Sequence, residues 1–95
     1  MDDERRCLHV EITGRVQGVW FRAWTEEVAA GLGLDGWVRN RRDGSVEAVF
    51  AGAPESLEKM IKACWQGPQM AKVENVAVAP HDEDPGPGFS SIATS

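Results

Sequence analysis

GWVRNRRDGSVEAVFAGAP, residues Gly36–Pro54, decides the fold. Alternation over Trp37–Arg41 puts Val38 and Asn40 on one face of a strand and Trp37, Arg39 and Arg41 on the other. Ser45–Ala51 reads as the next strand, with Val46, Ala48 and Phe50 on one face and Ser45, Glu47 and Val49 on the other. Asp43–Gly44 between the two runs is a hairpin signal, and the pair suits a type I′ turn with positive φ at both central residues. Gly52–Ala53 then leads to Pro54, well placed at the first position of a helix.

Working outward, Leu8, Val10 and Ile12 alternate with His9, Glu11 and Thr13, which reads as a half-buried strand ending at Gly14. A loop, Arg15–Phe21, follows. From Arg22 the period changes: Phe21, Thr25, Val28 and Leu32 share a helical face, Glu26 and Glu27 point outward, and Gly33 stops the helix. Beyond the hairpin, Leu57, Met60, Ile61 and Cys64 form the stripe of a second helix that ends at Gly67–Pro68. Val73–Ala79 reads as a strand whose slipped alternation predicts a bulge near Glu74–Asn75. Pro80–Gly88 is an acidic Pro/Gly loop, and Phe89–Thr94 is either a short edge strand or a loose tail. The order β-α-β-β-α-β, with a short C-terminal fifth strand as an option, predicts an α+β, ferredoxin-like sandwich. Its antiparallel sheet should carry both helices on one face and leave the other partly wet. Residues 1–95 make one domain, with 1–6 and 80–95 as loosely ordered ends.

Composition sets limits. At 95 residues there is room for one domain, burying roughly 60–65% of the surface an unfolded chain exposes. No apolar run approaches membrane-helix length, and MDDERRC is not followed by a signal-type segment, so a cytoplasmic protein is predicted. A net charge of −5 argues against nucleic acid and anionic membrane as partners. The acidic balance and the strand sequence SVEAVFA, without an RNP1-like run, weigh against RNA in particular. Cys7 and Cys64 read as free thiols, although one bridge stays open. No CxxC, HExxH, DxDxDG, GxSxG or GxxxxGK[ST] motif is present, so spacing supports no metal and no cofactor. His81 beside Asp82, Glu83 and Asp84 is a remote metal candidate. Trp20, Trp24, Trp37 and Trp65 read as core or rim aromatics.

The loop Arg15–Phe21 is the first place for chemistry. Gly14 and Gly18 open backbone conformations closed to other residues, and a loop feeding a helix start leaves several N–H groups unpaired. With the helix dipole these make an anion site of phosphate size. Arg22, unfavourable for the dipole by itself, would be compensated by a bound anion and would add two parallel donors. The same residues equally describe a plain turn with Arg22 in solvent. Asn40 is the second place: an amide held on a strand could position a small polar molecule, or could simply precede a turn.

GRVQGVWFR at Gly14–Arg22, GWVRNRRDGSVE at Gly36–Glu47 and GPQMAKVENV at Gly67–Val76 resemble the signature stretches of the acylphosphatase family, in the same order and spacing. The resemblance covers about Leu8–Val78. It implies a small, monomeric, metal-independent enzyme that hydrolyses the carboxyl–phosphate bond of acyl phosphates. It implies that Arg15, Val16, Gln17, Gly18, Val19, Trp20 and Phe21 cradle the phosphate, that Arg22 is the essential arginine, and that Asn40 orients the attacking water. Trp20 stands where the family pattern varies; its bulky ring either narrows the acyl side of the site or packs on the helix, and packing is the expectation. A non-catalytic ferredoxin-like binding module and an accessory domain of a large hydrogenase-maturation protein are the competing readings. The second fits less well, because the sequence ends at Ser95 without the segments such proteins append. Finally, Arg15, Arg22, Arg39, Arg41 and Arg42 against Glu26, Glu27 and Asp35 give the segment 15–42 a local charge of +2, where a small phosphate would be received.

Overall fold

The computed structural model describes residues 4–95. Five strands and two helices follow one another as β1 (Arg6–Arg15), α1 (Phe21–Gly31), β2 (Asp35–Asn40), β3 (Val46–Gly52), α2 (Pro54–Gln66), β4 (Lys72–Pro80) and β5 (Phe89–Ser91). They form one sheet in the order β4-β1-β3-β2-β5. β1 to β4 pair antiparallel, as expected for the ferredoxin-like arrangement. β5 adds to β2 in parallel, so the sheet is mixed rather than purely antiparallel. Parallel pairing follows from the long return through 80–88, which carries the chain back to start beside Gly36.

Alternation dictates the core. Val10 and Ile12 of β1, Val38 of β2, and Val46, Ala48 and Phe50 of β3 cluster with Phe21 and Ala29 of α1 and Leu57, Met60 and Cys64 of α2. Both helices therefore cover one sheet face. The opposite face is drier than the pattern predicted: all of β3 is buried, including Glu47, Val49 and Ala51. The register explains this, because Val49 lies between His9 and Trp37, and Glu47 between Glu11 and Arg39. Side chains on the flanking strands roof the central one.

The predicted bulge is present. Thr13 pairs with Asn75 and Gly14 with Val73, which leaves Glu74 as the extra residue of β4. The hairpin differs from its expected form. Arg41 donates its N–H to the Ser45 carbonyl at 2.8 Å, and Gly44 donates to Arg41 at 3.1 Å. The loop thus has three residues, and only Gly44 (φ 97°) has positive φ. A turn of the common type followed by a left-handed glycine replaces the type I′ turn, so Asp43 is spared a left-handed backbone. Asp43 instead accepts from the Ser45 N–H at 2.9 Å and the Ser45 hydroxyl at 2.7 Å.

Specific bonds also run through 80–95, the segment expected to be loose. Gly36 donates to Gly88, Ile92 to Val38, and Ser95 to Asn40, while Arg42 donates to Ser95. Phe89 stacks on Phe50 with centroids 5.5 Å apart. Arg5 bridges Asp84 and Asp35 at 2.7 and 2.8 Å. At the other end, residues 1–3 lie outside the described part of the chain. Cys7 and Cys64 are both free thiols.

Candidate active site

The loop between β1 and α1 is pinned by its apolar residues. Val16, Val19 and Phe21 are buried, so the intervening backbone is held against the core from three points. Gly14 lets this happen: its φ is 119°, and a Cβ there would stand 2.3 Å from the Lys72 carbonyl oxygen. Only glycine allows β4 so close at such a φ. Gly18 turns the loop with φ 73° in open space. Gln17 ties the loop to the hairpin, donating from Nε2 to the carbonyls of Arg41 (2.7 Å) and Ser45 (2.8 Å).

α1 begins without help from a capping side chain. Its N-cap is Trp20, which makes no cap bond, and no acid stands in the first turn. Among the described residues, none of the N–H groups of Gln17, Gly18, Val19 or Trp20 donates to a backbone or side-chain acceptor. A helix start with unspent donors attracts an anion, since the donors and the macrodipole act in the same sense.

Next to that helix start lies a pocket of about 480 Å³. Seven of the nine residues expected at the site line it: Val16, Gln17, Gly18, Trp20, Phe21, Arg22 and Asn40. Arg15 does not line it and is exposed, and Val19 is turned into the core. Arg22 comes from the first turn of α1, Asn40 from the last residue of β2, and the sheet brings them to one cavity.

Three lining residues were not foreseen: Ala23, Glu26 and Ser91. The helical pattern pointed Glu26 outward, but it lies one turn beyond Arg22 and so shares its side of α1. Ser91 reaches the pocket only because β5 pairs with β2, a long-range event that local sequence does not encode. Trp20 differs from its expected packing role. The residue is 80% exposed and its backbone is left-handed at φ 67°, the only described non-glycine residue with positive φ. Trp24 does pack, edge-on to Phe21 at 5.3 Å. Trp65 is half exposed.

The charge of the segment 15–42 is distributed less simply than its +2 indicated. Of the five arginines only Arg22 lines the pocket. Arg39 and Arg41 turn to the other sheet face and bond Glu47 at 2.7 and 3.1 Å, while His9 approaches the same carboxylate at 2.6 Å. Burial pushes the Glu47 pKa up, but these three donors outweigh it and hold the group down at about 2. The network is structural and stands apart from the pocket. His81 stacks near His9, with ring centroids 6.1 Å apart, and Asp84 is engaged by Arg5. Among the described residues no group of three or more His, Cys, Asp or Glu is arranged to hold a metal. No helix there is long and apolar enough to cross a membrane.

Comparison with known proteins gives this arrangement its setting. The model of the family described as Acylphosphatase matches residues 8–91, nearly the whole folded chain. The chain belongs to the acylphosphatase family. Membership makes it an enzyme of the class that hydrolyses acyl phosphates. An acylphosphatase of Rhodospirillum rubrum is 53% identical over 85 residues, covering 90% of this chain and 93% of the relative. The solved acylphosphatase of Coxiella burnetii superposes with a TM-score of 0.89 at 35% identity, over 93% of each chain. That of Bacillus subtilis gives 0.87 at 32% identity, over 94% of this chain and 99% of the other. These acylphosphatase folds match the ferredoxin-like layout described above.

Proposed function

We propose that this chain hydrolyses acyl phosphates to carboxylate and inorganic phosphate with the residues of the Arg22–Asn40 pocket. The observation that carries the reading is the convergence of Arg22 and Asn40, from different elements, on one cavity at an uncapped helix start. The phosphate is received by the loop N–H groups over 17–22 and by the Arg22 guanidinium, which offers two parallel donors to its oxygens. Phosphoryl transfer asks for in-line positioning and for stabilisation of charge on the equatorial oxygens, and these donors supply the second. Asn40 supplies the first. Its amide both donates and accepts, so it can hold a water without changing that water's charge.

No general acid is needed on the leaving side. The departing carboxylate has a conjugate acid of pKa about 4 and leaves unprotonated at neutral pH. The proton of the attacking water goes to a phosphate oxygen of the substrate. The same chemistry makes a metal unnecessary, because the phosphate charge is met by backbone donors and Arg22.

The test is direct. Purified protein is incubated with benzoyl phosphate in the presence of a chelator, and phosphate release is followed across pH. Turnover that persists with chelator, is inhibited by inorganic phosphate and requires no protein base near neutral pH supports the proposal. Absence of turnover at every pH would return the chain to the binding-module reading.

A further inference from the structure

Trp20 has no structural reason to be tryptophan. Its left-handed backbone strains a residue with a Cβ, and a residue 80% exposed gains little from burial. A bulky residue kept in such a conformation at a cavity is a sign of function rather than packing. Exposed to this degree and still lining the pocket, Trp20 stands at its rim. Glu26 lines the same cavity, half-buried, and among the described residues it forms no ion pair. The pocket therefore holds a cation for the phosphate, Arg22, together with an unneutralised carboxylate and an aromatic face. With about 480 Å³ it has room for more than a phosphate group.

We infer that Trp20 and Glu26 form the acyl side of the site and select acyl phosphates whose acyl part is cationic or neutral over those bearing a second anion. The inference rests on the proposed acyl phosphate hydrolysis. A second phosphate or a carboxylate on the acyl part meets the Glu26 charge in a partly desolvated space, where Coulomb repulsion is less screened than in bulk water. An ammonium is favoured twice, by Glu26 and by the indole face. The phosphate end is common to all these substrates, so discrimination resides in the acyl end alone.

The experiment measures kcat/KM for benzoyl phosphate, 4-carboxybenzoyl phosphate and 4-(aminomethyl)benzoyl phosphate, which share the aromatic ring and the transferred phosphoryl group and differ in the para substituent of the departing benzoate. The aminomethyl compound should exceed the carboxy compound by about fivefold, the size of a partly exposed charge interaction. Glu26→Gln should reduce that ratio to the share the indole supplies, high salt should reduce it in the wild type, and Glu26→Gln combined with Trp20→Ala should bring it close to one. Trp20→Ala should lower kcat/KM for the aminomethyl compound more than for acetyl phosphate. A wild-type ratio of one, or a Glu26→Gln variant that changes all three substrates by the same factor, overturns the inference. The uniform change would mean that Glu26 only tempers Arg22. If the wild type hydrolyses none of the three, the proposed function falls and this inference with it; turnover with a flat ratio removes the inference alone.

Discussion

The Gln17 side-chain amide donates to the Arg41 carbonyl at 2.7 Å, joining the candidate phosphate loop to the hairpin that carries Asn40. The second proton of the same nitrogen goes to Ser45 at 2.8 Å. Both carbonyls already accept a backbone N–H, from Gly44 and Arg41 respectively, so the amide fills their remaining lone pairs. Losing it leaves no orphaned carbonyl, and Gln17→Ala should cost only about 1 kcal/mol of stability. Its effect on rate should be larger, because the loop and Asn40 lose their common reference and small misplacements cost about 10² in rate. We expect kcat to fall about 10- to 100-fold in steady-state assays while inhibition by inorganic phosphate weakens much less. Gln17→Glu should be no better, since a carboxylate has no proton to give to two carbonyls.

Glu47 should govern the acid side of the stability curve. Its folded pKa, about 2, lies below the ordinary 4.5, so its network contributes fully above pH 4.5. That contribution is lost as pH falls from 4.5 toward 2. Glu47→Gln should therefore lower stability at neutral pH by about 1–3 kcal/mol. The gap to wild type should close in thermal melts recorded down to pH 2. Activity per folded molecule should be largely retained, because the network faces away from the pocket.

Gly14→Ala tests the close approach of β4. The new Cβ would stand 2.3 Å from the Lys72 carbonyl and 2.7 Å from the Glu74 nitrogen, at a φ of 119°. Backbone strain alone costs about 1–3 kcal/mol, and the clash adds to it. Chemical denaturation should show a loss of at least that size. A variant as stable as wild type would mean that the bulge opens freely.

The thiols should differ in reactivity. Cys64 is fully buried in the core and burial pushes its pKa up to about 12, so almost no thiolate exists at neutral pH. Cys7 is half-buried, and burial raises its pKa as well. Alkylation in native buffer should modify Cys7 slowly and leave Cys64 untouched; both should react in denaturant, as mass spectrometry would show.

What could be read in advance, and what could not, divides by the range of the interactions. Val10, Ile12, Val46, Ala48 and Phe50 sit where alternation places them, because strand faces are a local property. The loop before α1 was equally legible, since Gly14, Gly18 and Arg22 are close in sequence. The turn at Asp43–Gly44 was located correctly, but its three-residue form depends on which carbonyl the Arg41 N–H meets. Arg39 and Arg41 looked available for phosphate until the register set them beside Glu47. Ser91 entered the pocket through the parallel pairing of β5 with β2, whose partners lie far apart in sequence. Glu26 was misread for a different reason: a helical wheel separates apolar from polar faces and does not reveal a polar cavity.

In the proposed mechanism the labour is divided: Arg22 holds phosphate and Asn40 holds water. Kinetics of Asn40→Ala with benzoyl phosphate, paired with the inhibition constant of inorganic phosphate, test this division most directly. A kcat lower by about 10²–10³ is expected, with the phosphate inhibition constant little changed. Arg22→Ala, measured alongside, should lose both turnover and phosphate inhibition. Near wild-type kcat in Asn40→Ala would contradict this division of labour, and so would a phosphate inhibition constant that collapses with kcat.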